Sequence, residues 1–131
     1  MQPKEVVLSY VEAFNRGDLD ALCALFTHDA LVWGVLGWGT IEQVRPIWKQ
    51  LIECLEMKLQ VEGLISEGDT VAARYTEKGL SRRPFQGFEA TGKTYQITAM
   101  EWFEVQDGKI RRRWGARDSA SQYRQMGFTG A

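Results

Sequence analysis

The chain has 131 residues, 16 Lys plus Arg against 17 Asp plus Glu, and a formal net charge of −1. That length suits one domain with a proper core, spanning residues 1–131. The near-neutral balance gives no global electrostatic reason to expect nucleic acid or a membrane surface as partner. Five Trp, six Phe and four Tyr supply large buried area and candidate walls for an apolar pocket.

In chain order, Val6, Val7, Tyr10, Val11 and Phe14 recur at helical spacing, with Glu5 and Glu12 on the other side. Gly17 stops this helix, and Asp18 caps a short second one striped by Leu19, Leu22, Leu25 and Phe26. The "THDA" stretch leads into a short extended piece, "LVWGV", and then glycine-rich "LGWGT". Thr40 and Gln43 have capping-box spacing and open a third helix. Pro46 inside it predicts a kink or a delayed start.

After Leu55 the period changes to alternation. Leu59, Val61 and Ile65 begin a strand, "SEGD" is a turn, and "TVAARYTEKG" is the next strand. Alternation there admits either Arg74 or Tyr75 as the inward residue. "LSRRPFQGFEATG" reads as a loop punctuated by Pro84, Gly87 and Gly92. "KTYQITAMEWFEV" is a long strand with apolar residues on both faces, which one layer of helices cannot cover. Asp107-Gly108 is a hairpin signal, "KIRRRWGA" returns antiparallel, and "SASQYRQMG" is a terminal helical turn or two. Helices first and a meander of strands after predict an α+β fold, with helices on one face of a curved antiparallel sheet.

No apolar run approaches the ~20 residues of a membrane span, and the start of the chain lacks a signal peptide's pattern. Cys23 and Cys54 are far apart and read as reduced core thiols, and His28 as an exposed loop residue. A cytoplasmic protein without metal or other cofactor is expected.

The stretches "SYVEAFNRGDLDALCALFTHDALVWG", "PFQGFEATGK" and "FEVQDGKIRRRWGARDSASQYRQMG" resemble the SnoaL-like polyketide cyclases of the nuclear transport factor 2-like superfamily. The resemblance implies a cone-shaped α+β domain (cystatin-like), a pocket between helices and sheet, and a homodimer formed through the sheet's outer face. It also implies a small, apolar, oxygenated substrate. In that family the aspartate following the tryptophan is the general acid/base, and it matches Asp118 here. Relatives commonly carry a polar residue, often histidine, where Trp33 stands, an acid where Arg112 stands, and a histidine in the loop that here reads "SRRPFQG". In the superfamily's ketosteroid isomerases, Tyr10 and Glu101 match oxyanion-hole positions, while the proton-abstracting aspartate is replaced by Gly34.

On a regular strand Ile110, Arg112, Trp114 and Ala116 share a face. If that face looks into the cone, Arg112 and Asp118 converge on a ligand beside Trp114, as aldol cyclisation or a related isomerisation requires. The expected catalytic residues are therefore Asp118, Arg112 and Glu101. The expected pocket is formed by Tyr10, Phe14, Trp33, Trp48, Arg74, Phe103 and Trp114. Two bland roles stand beside these: Asp118 as a helix N-cap, and Glu101 in an ion pair with an arginine across the hairpin. Alternatives of another kind are an epoxide hydrolase or dehydratase, with Glu101 and Asp118 bridged by arginine, and a non-catalytic binding module. The arginine expected beside Glu101 in the limonene-type site is Ala99.

Overall fold

The computed structural model describes residues 1–34 and 37–128. The expected extended and glycine-rich pieces therefore fall partly, at positions 35 and 36, outside the described residues. The chain opens with helices α1 (Pro3–Asn15) and α2 (Leu19–Ala24), then strands β1 (Phe26–Gly34) and β2 (Gly37–Thr40). Helix α3 (Ile41–Leu55) precedes the meander β3 (Lys58–Glu67), β4 (Thr70–Leu80), β5 (Thr94–Gln106) and β6 (Lys109–Arg117), and α4 (Ser119–Met126) follows.

The helix starts follow their local chemistry. Asp18 accepts from the Ala21 amide, and Thr40 and Gln43 form the expected reciprocal box. Pro46 lies within α3, which nevertheless begins at Ile41, so there is no delayed start. Phe26 belongs to β1 and not to the second helix's stripe; α2 stops at Ala24. Asp107 and Gly108 both take left-handed backbone angles (φ 50° and 78°), the geometry of a tight hairpin turn.

The fold is α+β, with six strands among the described residues in the order β2-β1-β6-β5-β4-β3. The sheet is not wholly antiparallel as expected. Strands β1 and β6 pair in parallel, because the chain between them passes through α3 and the whole meander. The main core gathers α1, α2, α3 and the sheet around Val6, Tyr10, Phe14, Leu22, Phe103 and Ile110. A second cluster, built on Leu55, Phe85, Tyr95, Ile97, Met126 and Phe128, ties α4 and the 81–93 loop to one end of the sheet.

One irregularity sets the register of the site. Val105 pairs with Ile110, whereas Glu104 pairs with Arg112, so Arg111 is an extra residue on β6. Such a bulge reverses which side chains face which way beyond it. Arg113, Gly115 and Arg117 thus continue the face of Ile110, and Arg112 and Trp114 turn outward.

Candidate functional site

A cavity of about 360 Å³ lies between α1, α3, α4 and the inner face of the sheet. That volume is in the range of small-molecule sites, ~300–1,000 Å³. Phe14, Val44, Trp48, Leu51, Met57 and Leu59 form its apolar wall. Two charged clusters face it from the sheet.

The first is a closed triangle of Tyr10, Glu101 and Arg113. Arg113 Nη1 donates to Glu101 Oε2 at 2.6 Å and to the Tyr10 hydroxyl oxygen at 3.1 Å. The Tyr10 hydroxyl donates to the same Oε2 at 3.1 Å. Both charged side chains are close to buried, 11% exposed for Arg113 and 12% for Glu101. Burial opposes the Arg113 charge, but the adjacent Glu101 carboxylate and Tyr10 outweigh it and the guanidinium pKa rises. Burial, reinforced by Glu101, drives the Tyr10 pKa up and keeps its proton in place. Burial and then Glu101 do the same to Tyr75. The arginine is thus a fixed cation and both phenols are fixed donors.

The second cluster is Glu77, Arg117 and Tyr95. Glu77 is fully buried, held by both Nε and Nη2 of Arg117 and by the Tyr95 hydroxyl at 2.7 Å. This bidentate pair uses both carboxylate oxygens.

Each cluster sits over a glycine. A Cβ on Gly115 would stand 3.2 Å from Arg113 Nη2 and 3.6 Å from Glu101 Oε2. A Cβ on Gly79 would collide with the Tyr95 ring at 2.3 Å and the Leu55 carbonyl at 2.6 Å. The bare backbone gives both side chains their path across the sheet.

What is unpaired is as informative as what is paired. Among the described residues, six buried side-chain polar atoms lack a hydrogen-bond partner: Glu101 Oε1, Tyr75 Oη, Arg113 Nε, both amide atoms of Gln122, and Thr27 Oγ1. All but the last belong to residues lining this cavity. Native folds rarely leave such groups idle, and functional sites are where they occur.

The expected residues divide clearly. Tyr10, Phe14, Trp48 and Glu101 line the cavity. Phe103 is buried behind it, edge-on to Tyr10 with ring centroids 5.1 Å apart. Arg74 is exposed on the outer face, and its neighbour Tyr75 is the inward residue. Trp33 and Trp114 are on the outer face, where both rings pack against Trp38. Arg112 turns away as well, donating to the Asp29 and Arg111 carbonyls. Asp118 is exposed and caps α4, accepting from the Ser121 amide at 3.0 Å. The bulge at Arg111 causes the displacement on β6, since it moves the inward set by one position. No arginine bridges Glu101 and Asp118; Arg113 serves the former alone.

Arg113, Arg117, Glu77 and Gln122 were not singled out by sequence reasoning. Glu77 carried a usable signal: it alternates with Val71, Ala73 and Tyr75, and a charge on an apolar stripe implies a buried partner.

The SnoaL-like domain model matches residues 7–113, most of the chain. The protein belongs to the SnoaL-like family. IdmH of Streptomyces antibioticus, described as a candidate polyketide cyclase, is 26% identical over 97% of this chain and 99% of its own, with a TM-score of 0.85. A candidate polyketide cyclase of Xanthomonas campestris is 25% identical over 95% and 96%, with a TM-score of 0.87. An epoxide hydrolase of the limonene type from M. tuberculosis shares the fold at 14% identity, 95% and 88% coverage and a TM-score of 0.76. A search of curated proteins finds no match. The SnoaL-like fold accounts for the cone and the cavity. The side chains inside it carry the chemistry.

Proposed function

We propose that this SnoaL-like protein is a cofactor-independent enzyme performing acid/base chemistry on a small, apolar, oxygenated ketone. Intramolecular aldol cyclisation or a related isomerisation is the reaction type. The acid/base is Glu101 and not Asp118. The observation that carries this is the pair of buried, unpartnered atoms, Glu101 Oε1 and the Tyr75 hydroxyl, on two residues that line the cavity.

Arg113 and Tyr10 hold Oε2, so the carboxylate cannot rotate and Oε1 remains its reactive atom. Oε1 removes a proton alpha to the substrate carbonyl, and the C–H electron pair moves into the enolate. Tyr75, kept protonated by its burial, donates a hydrogen bond to the enolate oxygen. Preorganised donors of this kind contribute ~10²–10³ in rate. The enolate carbon then bonds to a second carbonyl of the same molecule, and Glu101 returns the proton to the new alkoxide. Atoms balance without a co-reactant. The Arg113 contact at 2.6 Å makes Glu101 an ion-pair partner.

The unit of function we propose is a cytoplasmic homodimer of the single domain 1–131. Among the described residues, no helix is long and apolar enough to cross a membrane. The outer face carries a row of paired tryptophans, Trp38–Trp33–Trp114–Trp102, across four strands. Trp33 is 41% exposed and Trp102 49%, an apolar patch suited to a second copy.

The test uses 2-tetralone, an apolar ketone with acidic alpha protons, in D₂O. The protein is expected to accelerate hydrogen–deuterium exchange at the alpha carbon, read by NMR. Glu101→Gln should abolish the acceleration, and Tyr75→Phe should reduce it by ~10²–10³-fold while leaving the fold intact. Exchange no faster than in buffer, with 2-tetralone shown to bind, would favour a binding module and sink the catalytic reading.

A further inference from the structure

The cavity has a second polar end that the proposed chemistry does not use. Gln122 on α4 lines it, 1% exposed, with its amide beside the Tyr95 hydroxyl and neither amide atom within hydrogen-bond geometry of a partner. A buried amide left unpaired forfeits its hydration without compensation, so a glutamine here without a partner is a stability defect.

Its surroundings do not repair that defect. Tyr95 is the nearby hydroxyl, and its one proton is committed to Glu77 Oε2 at 2.7 Å. Arg117, beside it, is engaged by both oxygens of Glu77. Even if the amide nitrogen turned toward the Tyr95 oxygen, Gln122 Oε1 would still lack a donor. Gln122 Oε1 is therefore open to an O–H or N–H from a bound ligand.

We propose that Gln122 is a specificity-determining residue that binds a hydroxyl or N–H donor on the substrate, at the α4 end of the cavity. The substrate class follows: a hydroxylated ketone, with its reactive carbonyl at Glu101 and Tyr75 and its hydroxyl at Gln122. The amide accepts the hydroxyl's proton at Oε1, and its own N–H donates to a second ligand oxygen. This deepens the reading of the same cavity and rests on it for the orientation of the ketone alone.

The experiment measures binding, with no turnover, so failure of the Glu101 chemistry would not disturb it. The probes are 6-acetyl-2-naphthol and 2-acetylnaphthalene, which differ by one hydroxyl, titrated by calorimetry. Wild type is expected to bind the naphthol on the order of tenfold more tightly, as one net hydrogen bond to a buried partner allows. Gln122→Met should erase this preference while retaining 2-acetylnaphthalene. A thermal melt supplies the second readout. Replacing an unpaired buried amide by an apolar side chain of similar size should leave the melting temperature unchanged or raise it.

Equal affinities in wild type, a preference surviving in Gln122→Met, or failure of both probes to bind would each overturn the proposal. So would a Gln122→Met chain that melts lower or does not fold, because the amide would then be serving the fold.

Discussion

Arg113 reaches Glu101 by lying across Gly115, the residue paired directly opposite Glu101 on the neighbouring strand. The ion pair at 2.6 Å therefore depends on a missing side chain as much as on the two that meet.

Gly115→Ala is expected to disturb this pair. Its methyl would press on Arg113 Nη2 at 3.2 Å, on a guanidinium held by Nη1 to Glu101 and by Nη2 to the Trp33 carbonyl at 3.3 Å. A cost of ~1–3 kcal/mol, typical of overpacking, should appear in denaturant unfolding. Arg113→Met should cost more, about 3–5 kcal/mol, because it leaves a buried carboxylate without its partner. Adding Glu101→Gln to Arg113→Met should recover much of that loss. Independent, additive losses in the double variant would show that the two residues are not coupled.

Alkaline stability should follow three tyrosines. Burial raises the pKa of Tyr10, Tyr75 and Tyr95 above the ordinary 10.0. A raised folded pKa means that the native state keeps protons the unfolded chain would release. Their contribution is complete below pH 10 and is lost as pH climbs above it. Stability should fall steeply past pH 10, and the tyrosinate absorbance of these three should appear together with unfolding. Ionisation of all four tyrosines in a still-folded protein would contradict this.

Asp118 offers a test between two carboxylates. As the N-cap of α4, Asp118→Ala should cost about 1 kcal/mol, and Asp118→Asn should restore most of it. Exchange of 2-tetralone should persist in the Asn variant if Glu101 is the base. Exchange abolished by Asp118→Asn at unchanged stability would return the acid/base role to Asp118.

The tryptophan row predicts association. Sedimentation velocity should show a dimer at micromolar concentration, and Trp102→Lys, which places a charge in the exposed row, should shift it toward monomer. A wild-type monomer would remove the proposed interface.

Local signals in the chain were enough for the helices and for the meander β3–β6; β2 was read only as a glycine-rich piece, and the start of β1 as helix stripe and loop. The Thr40–Gln43 box, the Asp18 cap and the Asp107-Gly108 turn each act through bonds to residues a few positions away, so their outcome is written locally. The inward faces of Tyr10, Phe14 and Trp48 follow from helical period alone. The parallel pairing of β1 with β6 was not legible, because it joins segments separated by α3 and four strands. The inward set on β6 was not legible either. One extra residue at Arg111 exchanges Arg112 and Trp114 for Arg113 and Gly115, and alternation cannot locate a bulge that only the neighbouring strand reveals. Glu101 was visible as a candidate. Its partners were not, since Tyr10 and Arg113 come from a distant helix and from the far side of that bulge. Periodicity determined the elements; pairing between strands decided which side chains share the cavity.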